Sequence, residues 1–219
     1  MKILFLPSKA LSTFSLDSFL YISKSIPKDI RQIGLVSTAQ YLHLLPKIKR
    51  QLEVQGKRAI IKGNGQILGC NVTNATKIQD KVSCFLYVGS GKFHPLAIAL
   101  ALKKLKPIFI YNPNTNEFSR LNEKEIQAAL ARKKAAKVKF LSAKTLGILV
   151  STKRGQQRLK EAEKLKEKLE KQGKKCYLFV ANDIDLNQLE NFPQVEAWIN
   201  SACPGLSIED PFIWINDLE

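Results

Sequence analysis

No run of about 18 apolar residues occurs in this 219-residue chain, so no membrane-spanning helix is expected. The opening Met1-Lys2-Ile3-Leu4-Phe5-Leu6-Pro7 has too short an apolar run for a signal peptide and reads as a strand. Histidine is scarce: only His43 and His94 are present, and no Ser-His-Asp, metallohydrolase or paired-carboxylate constellation appears. Cysteine is scarce too. Four unpatterned cysteines make no disulfide framework, which points to a reducing, cytoplasmic setting. Few aromatics interleave with the charges, which argues against a single-strand stacking surface.

Basic residues are abundant. The net charge is +16, and residues 120–175 alone hold 18 Lys/Arg against 6 Asp/Glu. Such an excess suits nucleic acid, ribosome or tRNA contact. Its richest part is nevertheless helical in pattern. Leu159, Ala162, Leu165 and Leu169 recur at three- and four-residue spacing and leave Lys and Glu on the outer face. Glu161 with Lys164, and Lys166 with Glu170, then become surface neighbours. A solvated helix face accounts for this charge without a partner, and nucleic acid is not expected to be the substrate. A second basic block, Arg132 to Lys139, reads as a helix leading into a linker.

Punctuation along the chain predicts alternating strands and helices. Gln32–Ser37 reads as a strand, Ala39–Gln55 as a helix stopped by Gly56, and Arg58–Ile61 as a strand. Val82–Val88 (strand), His94–Leu105 (helix) and Pro107–Tyr111 (strand) follow. The pattern then restarts with strand Leu146–Val150, helix Gly155–Gln172 stopped by Gly173, strand Lys175–Val180, a short helix Leu186–Leu189 and strand Ala197–Asn200. Both halves carry an apolar strand ending in Val-Ser-Thr (Ile33–Thr38, Leu146–Thr152). In both, a helix follows, then Gly-Lys before the next strand (Gly56-Lys57, Gly173-Lys174). The fold class is therefore α/β: two homologous units with mainly parallel sheets, an internal duplication. Expected boundaries are 1–30 as the remnant of a preceding unit, 31–140 as a central unit with Cys70, and 141–219 as a C-terminal unit with Cys203.

Cys84 and Cys176 lie in apolar strands and read as core residues. Cys70 and Cys203 sit instead in Gly- or Pro-flanked loops, each on the carboxyl side of a strand, where ligands of open α/β sheets gather. They are candidate thiolate ligands of a soft metal or cluster, or simply small loop residues. Two are too few for a closed site. The turn Val88-Gly89-Ser90-Gly91-Lys92-Phe93-His94-Pro95 follows a strand and opens a helix, so Gly89, Ser90 and Gly91 either cradle an anion or only make a tight turn. His94 is a ligand candidate or a locally bonded helix-start histidine, and His43 is read as structural. Thr38 and Gln40 end the first strand where a ligand belongs, and Glu209 and Asp210 orient substrate or cap a helix.

Gly65-Gln66-Ile67-Leu68-Gly69-Cys70-Asn71-Val72-Thr73-Asn74 and Val88 to Pro95, together with Ser201-Ala202-Cys203-Pro204 and Ile208-Glu209-Asp210, resemble the diphthamide-synthesis enzymes of archaea and eukaryotes. These are the 2-(3-amino-3-carboxypropyl)histidine synthases, and the chain resembles their second and third domains. The resemblance implies a non-canonical radical S-adenosylmethionine transferase. Three domains there each give one Cys to a 4Fe-4S cluster, which implies Cys70 and Cys203 as two of the metal ligands. Gly89, Ser90, Gly91, His94, Thr38 and Gln40 are then candidates for binding S-adenosylmethionine. It further implies transfer of a 3-amino-3-carboxypropyl group to a histidine of translation elongation factor 2. The third Cys is expected from a separate chain or from a homo- or heterodimer partner. The alternative is a non-catalytic basic subunit contacting elongation factor 2 or the ribosome.

Overall fold

The computed structural model describes residues 8–10, 21–22, 24–207 and 212–218. The chain divides into two compact units, residues 1–126 and 127–219. The first holds β1 (Gln32–Ser37), α1 (Leu45–Val54), β2 (Arg58–Ile60), α2 (Thr73–Thr76), β3 (Cys84–Val88), α3 (Phe93–Ala101), β4 (Ile108–Asn112) and β5 (Glu117–Arg120). Helix α4 (Glu123–Ser142) begins at its end. The second unit continues with β6 (Thr145–Ser151), α5 (Leu159–Lys171), β7 (Lys175–Ala181), β8 (Ala197–Asn200) and β9 (Ile213–Trp214).

The sheets run β2-β1-β3-β4-β5 and β7-β6-β8-β9. All pairings are parallel except that of β5 with β4. Buried parallel strands need apolar side chains on both faces. Accordingly β3 is buried throughout, with Cys84, Leu86 and Val88 in one core cluster and Phe85 and Tyr87 in the other. Matching β1 to β6, β2 to β7, β3 to β8 and β4 to β9 superposes the two topologies, as the duplication requires.

The register of the repeat is set by close approach. Gly34 pairs with Phe85 and Gly147 with Trp198. A Cβ on Gly34 would lie 2.6 Å from the Phe85 ring, and one on Gly147 would likewise collide with Trp198. These glycines admit the neighbouring aromatic and are equivalent. Ser37 stands three residues after the first glycine, and Ser151 four after the second. The Val-Ser-Thr tripeptides are thus displaced by one residue, and a one-residue slip on a strand moves a side chain to the opposite face.

A second repeated device fastens each unit. Gly56 (φ 74°) and Gly173 (φ 82°) end α1 and α5 in the left-handed region that glycine tolerates. The lysine that follows reaches back to the carbonyls preceding the unit's first strand. Lys57 Nζ donates to Pro27 O (2.9 Å) and Ile30 O (2.8 Å). Lys174 Nζ donates to Phe140, Leu141 and Ala143 carbonyls at 3.2, 3.2 and 2.6 Å. The carbonyls that Lys174 reaches are the orphan acceptors at the C-terminus of α4, where a cation also complements the helix dipole, whereas Lys57 ties down the turn that leads into β1. Within the span read as a remnant unit, Ile22 and Ile26 are buried in the first unit's core, while residues 1–7, 11–20 and 23 lie outside the described residues.

Several boundaries differ from expectation. Ala39–Gln55 is a 3-10 segment (Ala39–Leu44) followed by α1, because Pro46 fits only a helix's first turn. Helix α3 stops at Ala101, where the next amide but one, Lys103 N–H, bonds the buried Gln79 side chain. Helix α5 starts at Leu159 because the chain turns first at Gly155 (φ 80°). The Arg132–Lys139 block is the middle of α4, whose Ala136 and Phe140 pack in the second unit's core. Strands β5 and β9 and helix α2 are further elements. Along α5, Leu159, Ala162, Leu165 and Leu169 face the core as expected. Lys166 pairs with Glu170, but Glu161 pairs with Arg158.

Candidate functional site

In each sheet the second strand lies on one side of the first and the third on the other, so the carboxyl ends of β1 and β3, and of β6 and β8, form switch points of the kind at which open α/β sheets take ligands. In the first unit, Thr38 and Gln40 follow β1 and the Gly89–Gly91 turn follows β3, so both groups stand at that switch point.

The Cys70 loop reaches the same edge. Its entry is hydrogen-bonded alongside the end of β1: Ser37 N donates to Gly65 O (3.0 Å) and Ile67 N to Ser37 O (2.8 Å). Asn74 Nδ2 braces it by donating to Gln66 O (2.8 Å). Leu68 and Asn71 exchange backbone hydrogen bonds of 2.9 and 3.0 Å, which makes a tight loop with Gly69 and Cys70 at its tip. Gly69 lies against Phe93, the first residue of α3, so closely that a Cβ would overlap its ring. The loop therefore runs from β2 across the end of β1 to α3. Cys70 is exposed at that tip.

Beneath the Gly89–Gly91 turn lies a residue that sequence reasoning passed over, Tyr87. Burial pushes its hydroxyl up to about 12, against the pull of a hydrogen bond with the Thr38 side chain. The hydroxyl sits 3.3 Å from Ser90 O and 3.5 Å from His94 Nδ1, and its ring stacks on His94 with centroids 5.9 Å apart. Burial also lowers the His94 pKa, which favours neutral imidazole. Gly89 N–H is engaged by Tyr111 O (2.9 Å). The first unit thus gathers Thr38, Tyr87, Ser90 and His94 in one cluster, while Gln40 is exposed and makes no side-chain contact with it among the bonds described. A cavity of about 120 Å³, lined by residues such as Lys106, Ile108, Arg120 and Ile126, opens at the opposite, amino edge and involves none of the predicted site residues.

In the second unit Cys203 follows β8 and is partly exposed. Asn200 Nδ2 donates to Cys203 O (2.7 Å), and Ala202 N donates to Asn200 Oδ1 (2.9 Å). Leu206 N also reaches Cys203 O (3.0 Å), and Ser201 Oγ donates to Leu149 O (2.6 Å). Glu209 and Asp210 lie outside the described residues. Cys84 and Cys176 are buried in β3 and β7, where burial raises both thiol pKa values, Cys84 to about 12. A thiol held protonated in a strand is a poor ligand. Cys70 and Cys203 are the accessible pair and fit a cluster site's demand for thiolates on open loops. No group of three His, Cys, Asp or Glu side chains suited to one metal ion occurs among the described residues. No helix among them is long and apolar enough to cross a membrane.

Each copy of the duplicated, mainly parallel α/β unit thus carries one accessible thiol in a loop at the carboxyl edge of its sheet. The family model described as "Putative diphthamide synthesis protein" matches residues 2–213, and the chain belongs to that family. It is 36% identical over 192 residues to the 2-(3-amino-3-carboxypropyl)histidine synthase of Pyrococcus horikoshii, covering 84% of this chain and 53% of that protein. It is 30% identical to subunit 1 of that synthase from Yarrowia lipolytica, covering 86% of this chain and 44% of the relative. A crystal structure of Dph2 from Pyrococcus horikoshii with a 4Fe-4S cluster superposes with a TM-score of 0.77 at 32% identity, over 93% of this chain and 60% of that one. The chain spans about half the length of the curated relatives it matches.

Proposed function

We propose that this chain works in the first step of diphthamide formation, as part of a 2-(3-amino-3-carboxypropyl)histidine synthase. In this reading Cys70 and Cys203 give two thiolates to a 4Fe-4S cluster. The observation that carries it is the sorting of the thiols: the two in carboxyl-edge loops are accessible, and the two in strands are buried. The cluster, when bound, supplies a reducing electron and an open iron for S-adenosylmethionine. The substrates are S-adenosylmethionine, as donor of the 3-amino-3-carboxypropyl group, and a histidine of translation elongation factor 2. The reaction runs in the cytoplasm.

The chain's own residues position and shield. The Gly89–Gly91 turn, at the N-terminus of α3, presents the positive end of a helix to the methionine carboxylate. With Gly89 N–H engaged by Tyr111, the remaining turn amides and the Ser90 hydroxyl are the donors. Neutral His94 and Thr38 offer hydrogen bonds without adding charge beside a sulfonium. Gln40, exposed at the same edge, contacts the outer part of the donor. Two thiolates are one short of the three that leave a single iron open, so the third comes from outside these 219 residues, in a homo- or heterodimer or from another segment or chain.

Anaerobic reconstitution with iron and sulfide tests this directly. The chain with its partner should turn brown, absorb at about 400 nm and, with S-adenosylmethionine and reductant, add a 3-amino-3-carboxypropyl group to elongation factor 2 by mass spectrometry. A complex that stays colourless and leaves the factor unmodified, yet binds it in a salt-sensitive manner, overturns the enzyme reading in favour of a basic supporting subunit.

A further inference from the structure

The turn after the third parallel strand is built the same way in both units. With Gly34 and Phe85 set against Gly147 and Trp198, Cys84 matches Ala197, Tyr87 matches Asn200 and Ser90 matches Cys203. Core membership agrees: Cys84 and Leu86 face one side of their sheet as Ala197 and Ile199 do, and Phe85 faces the other as Trp198 does. In each unit a buried side chain then bonds the carbonyl three residues ahead. Tyr87 hydroxyl approaches Ser90 O at 3.3 Å, and Asn200 Nδ2 donates to Cys203 O at 2.7 Å. Asn200 is fully buried and also accepts from Ala202 N at 2.9 Å, so one amide grips the turn on both sides of the Ala202–Cys203 peptide.

We infer that Asn200 is the positioning residue for Cys203: its amide holds the turn so that the thiol is presented at the carboxyl edge of the second sheet, as Tyr87 holds the Ser90 turn in the first. Asparagine is the side chain of this length that accepts one bond and donates another, so neither aspartate nor leucine replaces it. Two further bonds, Leu206 N to Cys203 O and Ser201 Oγ to Leu149 O, close the turn from outside but do not reach the Ala202 amide. The thiol's role as cluster ligand is the reading proposed above. The clamp itself is independent of it.

The test is residue-resolved alkylation of the purified chain by iodoacetamide, with iron content after reconstitution as a second readout. In Asn200→Ala and Asn200→Asp, the Cys203 alkylation rate should rise at least fivefold while the Cys70 rate changes less than twofold. Iron retained with the partner should fall toward that of Cys203→Ser. Should these variants fail to fold, hydrogen exchange on the unmutated chain decides: the Ala202 amide must be protected relative to an open loop amide. Folded variants with unchanged Cys203 alkylation, or an Ala202 amide exchanging at the free-peptide rate, overturn the inference. A wild-type protein that never binds iron sinks the cluster reading and leaves the alkylation result to judge the clamp.

Discussion

Replacing Gly69 with alanine probes the seat of the Cys70 loop. The new methyl would meet Phe93 Cε2 at 3.3 Å and overlap Cζ and Cε1. Carbon atoms pack at about 3.5–4.0 Å, so ring and loop together must part by roughly 1.5 Å. Phe93 begins α3 and is partly buried, and the loop is tied to Ser37 by two backbone bonds, so neither side yields freely. Overpacking of this kind costs about 1–3 kcal/mol. For a unit of the size of residues 1–126 the melting temperature should drop by roughly 3–6 °C per kcal/mol. A displacement near 1 Å at a ligand loop should also lower retained iron well below wild type. Thermal unfolding and iron analysis of Gly69→Ala, Phe93→Ala and the double variant form a cycle. Once the ring is gone the alanine should cost almost nothing, giving a coupling of about 1–3 kcal/mol. Additive effects, or a Gly69→Ala protein that melts and binds iron as wild type does, would show that the loop does not rest on Phe93.

Cys203→Ser should abolish cluster retention, whereas Cys176→Ser, in the core of the second unit, should keep iron and cost on the order of 1 kcal/mol by urea unfolding. Lys174→Met removes the charged donor to three carbonyls and should destabilise by about 1.5–3 kcal/mol; an unchanged unfolding midpoint would refute the fastening role. The Cys84 thiol keeps its proton in the fold up to about pH 12 but loses it near 9.0 when unfolded. The native state then binds more protons, so stability is full below pH 9 and drains away through pH 9–12. Between pH 8 and 10, Cys84→Ala should therefore lose less unfolding free energy than wild type, and parallel losses would contradict this.

Strand and helix alternation, the duplication and the sorting of four cysteines into two buried and two accessible were legible in the chain itself, because buried parallel strands demand continuous apolar runs and Gly-Lys punctuation marks the ends of α1 and α5. The short edge strand β5, Glu117-Phe118-Ser119-Arg120, gave no such signal. It exists because the β4 edge offers Phe109–Asn112 as pairing partners. The register of the repeat was equally hidden. Val-Ser-Thr suggested one alignment, and the aromatic rings over Gly34 and Gly147 impose another, shifted by a residue. Tyr87 and Asn200 escaped notice for a related reason: each acts on a backbone carbonyl, and a carbonyl has no letter in the sequence. Residue types and spacing determined which elements form and which thiols stay in loops. Only tertiary packing decided what each loop rests on, because contacts such as Gly69 on Phe93 join segments whose nearness no local pattern encodes.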